Sequence, residues 1–580
     1  MLMILLPSMV LGMEPPDSSS LSSEADQISI ADFESADPDD ENNILYLYQL
    51  LTTPNSGDLV RIRDRGQRWS RTEERYHYLA LDRGPVRLNV LESHLLGKEI
   101  QTLRNVHAAL TLEQTAFTLI AGHFRVNMGE GWTVQSSPSF SLPSSPSAPF
   151  HRSLEGISAN TSAEPLRGWV GGAVDCHIQG SSALPTINMW AGNLLYDADR
   201  ESNGDYSLYS SLLWWDKKEE RVWETQAGMS ITQPLGYGSQ LQLIRSTSHF
   251  SEDLAPTETA RYRFSDQTPL FGATGIAFRH TGKHLLLRGE TTRQDHKAYG
   301  GGASGAYKTD RTGTFSVATW RATKAFATLH ARPYLPFGSD PAGEGGYQAG
   351  WAGGYGIASL IAVNYARNLG EKEFYSRRVE QESGFEEYYY QYTPSQEALW
   401  LTLHLDLLPE LTLELRGTVR NETEFLDSYD ELRHPKRHSI RTALRHSTSE
   451  GTIIIRGQYV ASSTGVGRLY GLEWRSGKLR GVGFRAAATY LLADSYDARV
   501  TVVEPSAPGA FPFTTLTGEH LRVAGRLDLF ASNGIILWAS GSVDQDFDGY
   551  YLVSRLTNSL EYHQTSAFRW GLGFDWRPVL

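Results

Sequence analysis

Residues 567–576 read A-F-R-W-G-L-G-F-D-W, and this stretch decides the fold. Phe568, Trp570, Leu572, Phe574 and Trp576 fall on one parity, and Arg569, Gly571, Gly573 and Asp575 on the other. Strict alternation makes a β-strand with one apolar face and one polar or small face. Two settings accept such a strand. One is the edge of a soluble sandwich. The other is a membrane-spanning barrel, whose outer face meets lipid and whose aromatics sit at the interface. The rest of the chain decides between them.

Composition narrows the choice. The chain has 580 residues, 40% hydrophobic and 11% aromatic, with 54 Gly, 28 Tyr and 14 Trp. Mean hydropathy is -0.36. No apolar run approaches the roughly 18–20 residues of a spanning helix. Barrel strands are half polar and average out as hydrophilic, so these values suit a transmembrane barrel. A single cysteine, Cys176, excludes an internal disulfide framework and any multi-cysteine metal site. The net charge of -13 argues against nucleic acid as a partner, although local basic patches remain open.

Outward from the last strand, the same alternation recurs in pairs. Segments 76–81 and 86–91 flank Asp82-Arg83-Gly84-Pro85, and 399–406 and 411–419 flank Pro409-Glu410. Segments 521–530 and 535–543 flank Ser532-Asn533-Gly534, and 314–321 and 326–332 flank Ala322-Thr323-Lys324. The short turns carry the Gly, Asn, Asp and Ser that hairpins need. Longer polar connections separate the pairs, at 197–217, 294–311, 334–346, 368–395, 492–516 and 546–560. Alternation of short and long connections is expected of an outer-membrane barrel, with short periplasmic turns and long outer loops. Within Leu521–Leu529, Leu521, Val523, Leu527 and Leu529 share one face, and Arg522, Arg526 and Asp528 the other. The reading is all-β: a large closed antiparallel transmembrane β-barrel of about 20–24 strands over 58–580, with both termini periplasmic and a wide polar lumen. Phe568, Trp570, Phe574 and Trp576 are its membrane-interface aromatics. Outer-membrane lipid, the outer-membrane insertion machinery and a periplasmic protein are the expected partners.

Ahead of the barrel, residues 1–13 fit a signal peptide that lacks a basic start. Residues 14–57 are acidic and Ser-rich, a flexible segment with one short helix over 43–52.

One passage stands apart. Gly122-His123-Phe124-Arg125-Val126-Asn127-Met128-Gly129-Glu130-Gly131 ends a strand, a Ser/Pro-rich loop follows, and Ser162 to Gly168 re-enters. These resemble two motifs of a family of Gram-negative outer-membrane β-barrels that often carry a periplasmic helix-hairpin-helix segment. The first is G-[DH]-[FY]-R-[LV]-x-x-G-x-G. The second is S-x-E-x-x-x-R-G, matched with one residue less. Glu382-Ser383-Gly384-Phe385 and Asp406 match more weakly. The resemblance covers roughly 59–580 and implies a barrel of that kind. Residues 43–55 look like the lead-in to the helix-hairpin-helix segment, but the segment itself is missing. The DNA contact such hairpins make therefore has no residues to carry it here.

No chemistry-bearing motif is evident, and the expectation is no enzyme, no cofactor and no metal. His434 and His438 flank Pro435, so no helix presents them together. Neither H-E-x-x-H nor G-x-S-x-G occurs. Gly300 to Gly305 spells G-x-G-x-x-G but is read as part of a polar loop. Two functions remain: a porin-like channel for small polar solutes, or an assembly barrel with a plugged lumen that binds a protein. The long loop 127–166 bears on both. Its stems carry Arg125, Glu130, Arg152, Glu155, Glu164 and Arg167. Folded inward, these charges would line a pore constriction. Projecting outward, they would simply be solvated.

Overall fold

In a computed structural model, residues 60–576 form the barrel wall and parts of its loops. Residues 1–59, 136–155, 161–167, 209–219, 255–269, 547–565 and 577–580, with shorter stretches of other loops, lie outside the described residues. The leader, the acidic segment and the 43–52 helix therefore fall outside them.

The main sheet has 27 strands. Three are short additions at Gly156–Ala159, Tyr206–Leu208 and Glu431–Arg433, which leaves 24 wall strands. Each wall strand pairs antiparallel with its sequence neighbours. Val60–Trp69 then pairs with Ser566–Trp576, from Ile62 opposite Trp576 to Arg68 opposite Trp570, and closes the ring. The strand opened on above is thus the seam. Closure removes every sheet edge, which hydrocarbon requires because it offers no partner to free N–H and C=O groups. The wall strands are mostly 10–17 residues long, against the roughly 9–11 that cross a bilayer. Hairpins 373–381/384–392 and 500–503/513–516 stand in two of the long loops.

The apolar parity faces out. Leu399 and Leu401 are exposed while Trp400 and Thr402 are buried. Leu521, Val523, Leu527 and Leu529 are exposed while Arg522 and Asp528 are buried. Near the short-turn ends of this apolar belt, Phe315 lies 6.5 Å from Trp351 and Trp474 lies 5.6 Å from Phe484. Near the long-loop ends stand Tyr347 and Tyr365, 6.0 Å apart. Two aromatic girdles around an apolar band mark a transmembrane barrel. In the seam strand Leu572 is 56% exposed. The side chains of Phe568, Trp570, Phe574 and Trp576 share its parity and lie outside the described residues.

Two sequence readings need correction. Residues 294–311 are not a long loop, because Tyr299–Thr309 is a wall strand paired on both edges. Its glycines carry no hydropathy signal, so period-2 alternation cannot reveal it. The described residues of 326–332, Phe326, His330 and Ala331, lie on no strand and so do not form the second arm of a hairpin. The strand Gly313–Ala322 pairs instead with Glu344–Tyr355, and Phe326 and Ala331 are buried inside the barrel. Their apolar spacing serves the lumen rather than lipid.

The outward parity sets a test. Ile455 sits mid-strand and is 53% exposed. Ile455→Arg is expected to lower folding stability by about 2–4 kcal/mol, read by denaturant titration in lipid vesicles. A smaller change than that of an interface position such as Trp474→Arg would contradict the assigned membrane depth.

Candidate functional site in the barrel lumen

The lumen is filled on one side by chain that parts from the wall strand Val106–Glu113 at Gly122 and stays paired with Trp169–Cys176 as far as Phe124. The φ of Gly122 is +107°, and a Cβ there would stand 2.2 Å from the Ala108 carbonyl oxygen. Only glycine fits that close approach at a positive φ. Beyond it the alternation stops, and His123 to Met128 are all buried. His123 stacks on His107 with centroids 4.6 Å apart and planes at 4°. Gly156–Ala159 pairs with the departing edge, from Phe124 opposite Ala159 to Asn127 opposite Gly156. Arg125 donates from Nε to the Asn160 side-chain oxygen at 2.7 Å.

Residues 128–135 form a tight loop closed by the Asn127–Gln135 bridge. Its exposed N–H groups need acceptors, and one wall carboxylate supplies most of them. Glu290, on Leu285–Gln294 and 4% exposed, accepts from the backbone N–H of Glu130 at 2.5 Å, Trp132 at 3.2 Å and Thr133 at 2.8 Å. It also accepts from the Thr133 hydroxyl at 2.6 Å. Glu130 itself pairs with Arg279 at 2.9 Å. Both line a polar cavity with Asn127, Asp175, Asn188 and Gln242.

The glycine-rich strand now has a role. Trp132 packs over Gly300 and Gly302, against Phe326 at 5.9 Å in an edge contact. A Cβ on Gly300 would come within 2.9 Å of Trp132. The G-x-G-x-x-G run is therefore a seat for an indole and not a phosphate loop.

A second inward segment locks the first. Gln135 N–H donates to the His330 carbonyl at 2.7 Å. The His330 ring meets Glu224 at 2.5 Å, and Glu224 also accepts from the Tyr196 hydroxyl at 2.9 Å. Phe124, Val126, Met128, Val134, Trp169 and Ile244 form an apolar cluster within this half of the lumen. Of the two expectations, a wide polar lumen and one plugged by loop 127–166, the described residues show an apolar core that fills part of the lumen.

The other half has a different chemistry. On the six strands from Leu411–Leu426 to Gly518–Phe530, the inward parity carries ten arginines against four carboxylates among the described side chains. Arg416 stands opposite Arg441 in register, with Arg456 on the next strand. Arg475, Arg485 and Arg526 stand in line across three strands. Arg420, Arg437, Arg445 and Arg522 complete the set. The carboxylates serve as local partners: Glu473 holds Arg456 and Arg475 at 2.5 Å each, Asp528 holds Arg526 at 2.8 Å, and Glu414 and Glu422 pair with Arg416 and Arg420. Most of this wall is half-buried: the Arg416, Arg456 and Arg475 side chains keep 12%, 16% and 11% of their surface exposed.

Of the residues singled out in the sequence, the structure brings Arg125 and Glu130 into the lumen. Arg152, Glu155, Glu164 and Arg167 lie outside the described residues. Glu290, Glu224 and the arginine wall escaped sequence reasoning, because each is a lone charge on the polar parity of one strand. The available signal was that parity, summed over neighbouring strands. Among the described residues no group of three or more His, Cys, Asp or Glu could hold a metal.

No protein-family model matches the chain, and no curated protein matches it. Solved structures resemble it loosely. A mutant of the ferric enterobactin receptor of Pseudomonas aeruginosa aligns with a TM-score of 0.45 and 10% identity, covering 90% of this chain and 81% of that one. The siderophore receptor PirA of the same organism gives 0.38 and 8%, covering 91% and 82%. OccAB2 of Acinetobacter baumannii gives 0.31 and 9%, covering 68% and 99%. Likenesses this distant say nothing of cargo, and the fold stands on the chain's own strand pairing.

Glu290 is the testable anchor. Glu290→Ala leaves three buried N–H groups without an acceptor, at about 1–3 kcal/mol each. Amide exchange at 130–133, followed by mass spectrometry, is expected to rise by roughly two orders of magnitude or more. Unchanged protection would show that the apolar contacts alone hold the loop.

Proposed function

We propose that the protein is an outer-membrane channel of a Gram-negative bacterium that passes small polar solutes through the unfilled half of its lumen. The single observation carrying this reading is the division of the interior. One half is packed with buried chain, and among the described residues the other is lined by paired charged side chains, such as Arg416, Arg456 and Arg475, that keep part of their surface open. Membership of the barrel family with helix-hairpin-helix relatives belongs to the same reading, as do periplasmic termini and assembly by the outer-membrane insertion machinery. The six stem charges of loop 127–166 join it as a proposed constriction. Arg125 and Glu130 are buried in the filled half, Arg125 on Asn160 and Glu130 on Arg279, so they support the inward course of the loop rather than a lining of the open half.

The second reading, an assembly barrel that binds a periplasmic protein, draws on the bonded inward segment 128–135 and on His330, which holds Gln135 and Glu224. Conductance separates the two. Purified protein in a planar bilayer is expected to give discrete open-channel steps. Deleting Ser136–Ser147 is expected to raise step size, because it shortens the loop whose base enters the lumen. Protein that is folded yet never conducts, with or without the deletion, would favour the partner-binding reading.

A further inference from the structure

We infer that the arginine wall is a binding and selectivity site for small anions that carry carboxylate or phosphate groups. The inference rests on the channel reading for its transport role but not for its binding role.

The two halves of the lumen solve the same problem differently. Where the wall faces inward-folded chain, its charges are matched to that chain: Glu290 takes the N–H groups of Glu130, Trp132 and Thr133, and Arg279, opposite Arg288 in register, pairs with Glu130. The six strands from Leu411–Leu426 to Gly518–Phe530 also oppose like charges, Arg416 to Arg441, but there Arg416 keeps a further donor beyond its pair with Glu414. Like charges directly opposed across a sheet destabilise it, and a carboxylate or phosphate between them relieves that.

A cavity stands at this point, lined by Arg416, Arg441 and Arg456 with one carboxylate, Glu414, and by Gln458 and Thr489. Its donors are in excess. Nη1 of Arg416, and Nη2 of Arg475 beyond it, are buried with no hydrogen-bond acceptor in the protein. Glu414 and Glu473 occupy other nitrogens of the same guanidinium groups. Planar guanidinium forks match the two oxygens of a carboxylate or phosphate. The cavity also has a roof. Val500 and Val502 pack on Val460, Leu469 and Leu491, and Arg437 donates to the Arg499 carbonyl at 3.1 Å. The 498–503 segment thus covers the site from the long-loop side and partly desolvates it, which strengthens each charge contact.

The test uses the full-length protein. In a planar bilayer under a KCl gradient, the reversal potential is expected to show chloride preferred over potassium by roughly threefold or more. Added inorganic phosphate or citrate is expected to reduce the chloride current. Arg441→Gln leaves the Arg416–Glu414 and Arg456–Glu473 pairs standing and is expected to weaken both effects. Arg416→Gln/Arg441→Gln/Arg456→Gln is expected to abolish them, while Arg468→Gln on the outer face changes neither. Cation preference, or an unchanged ratio in the triple variant, overturns the proposal. If the protein does not conduct, the channel reading fails, and calorimetric titration of the detergent-solubilised protein decides the binding claim. Phosphate or citrate binding that weakens in Arg441→Gln sustains it, and no binding of either probe overturns it. Comparing the two probes shows whether carboxylate or phosphate is the preferred group.

Discussion

Everything in this molecule follows from closure of the sheet between Val60–Trp69 and Ser566–Trp576. Hydrocarbon satisfies no backbone group, so a spanning sheet cannot have an edge. Closing 24 strands fixes a second property, width. Barrel diameter grows with strand number, and side chains from the wall can fill only a small barrel. A ring this wide must admit water, or fold its own loops inward, or both. Among the described residues, this chain folds its own segments inward on one side and lines the other with half-buried charged groups.

The two sides differ in what their charges do. On the filled side, buried loop backbone brings N–H groups that need acceptors, and isolated wall carboxylates meet them. Glu290 collects three backbone N–H groups and a hydroxyl, and Glu224 collects His330 and Tyr196. Each carboxylate is buried but well bonded, the condition under which a buried charge is tolerated. On the other side, arginines outnumber carboxylates among the described inward side chains. A concave low-dielectric wall of one sign concentrates ions of the other. Packing therefore dominates one half of the interior and electrostatics the other.

Sequence made the wall legible wherever outward apolar and inward polar residues alternate, as in Leu399–Leu405 and Leu521–Leu529. It hid the strand Tyr299–Thr309, because a glycine's purpose is visible only once Trp132 lies over it. It misassigned Phe326 and Ala331, because apolar spacing alone does not distinguish lipid from a packed lumen. Gly122-His123-Phe124-Arg125 marked the correct place but not the event there, a departure of the chain from the wall. The net charge of -13 concealed the arginine wall, since acidic residues elsewhere outweigh it in any whole-chain sum.

The division of the lumen is the central claim, and thiol accessibility tests it most directly. With Cys176 replaced by serine, single cysteines would be placed at Ala443 on the arginine side and at Ser246 on the filled side. Both positions face inward, Ala443 half-buried and Ser246 3% exposed. A small charged, membrane-impermeant thiol reagent applied to folded protein in vesicles is predicted to modify Ala443→Cys rapidly and Ser246→Cys slowly or not at all. Equal rates at the two positions would contradict a half-filled interior.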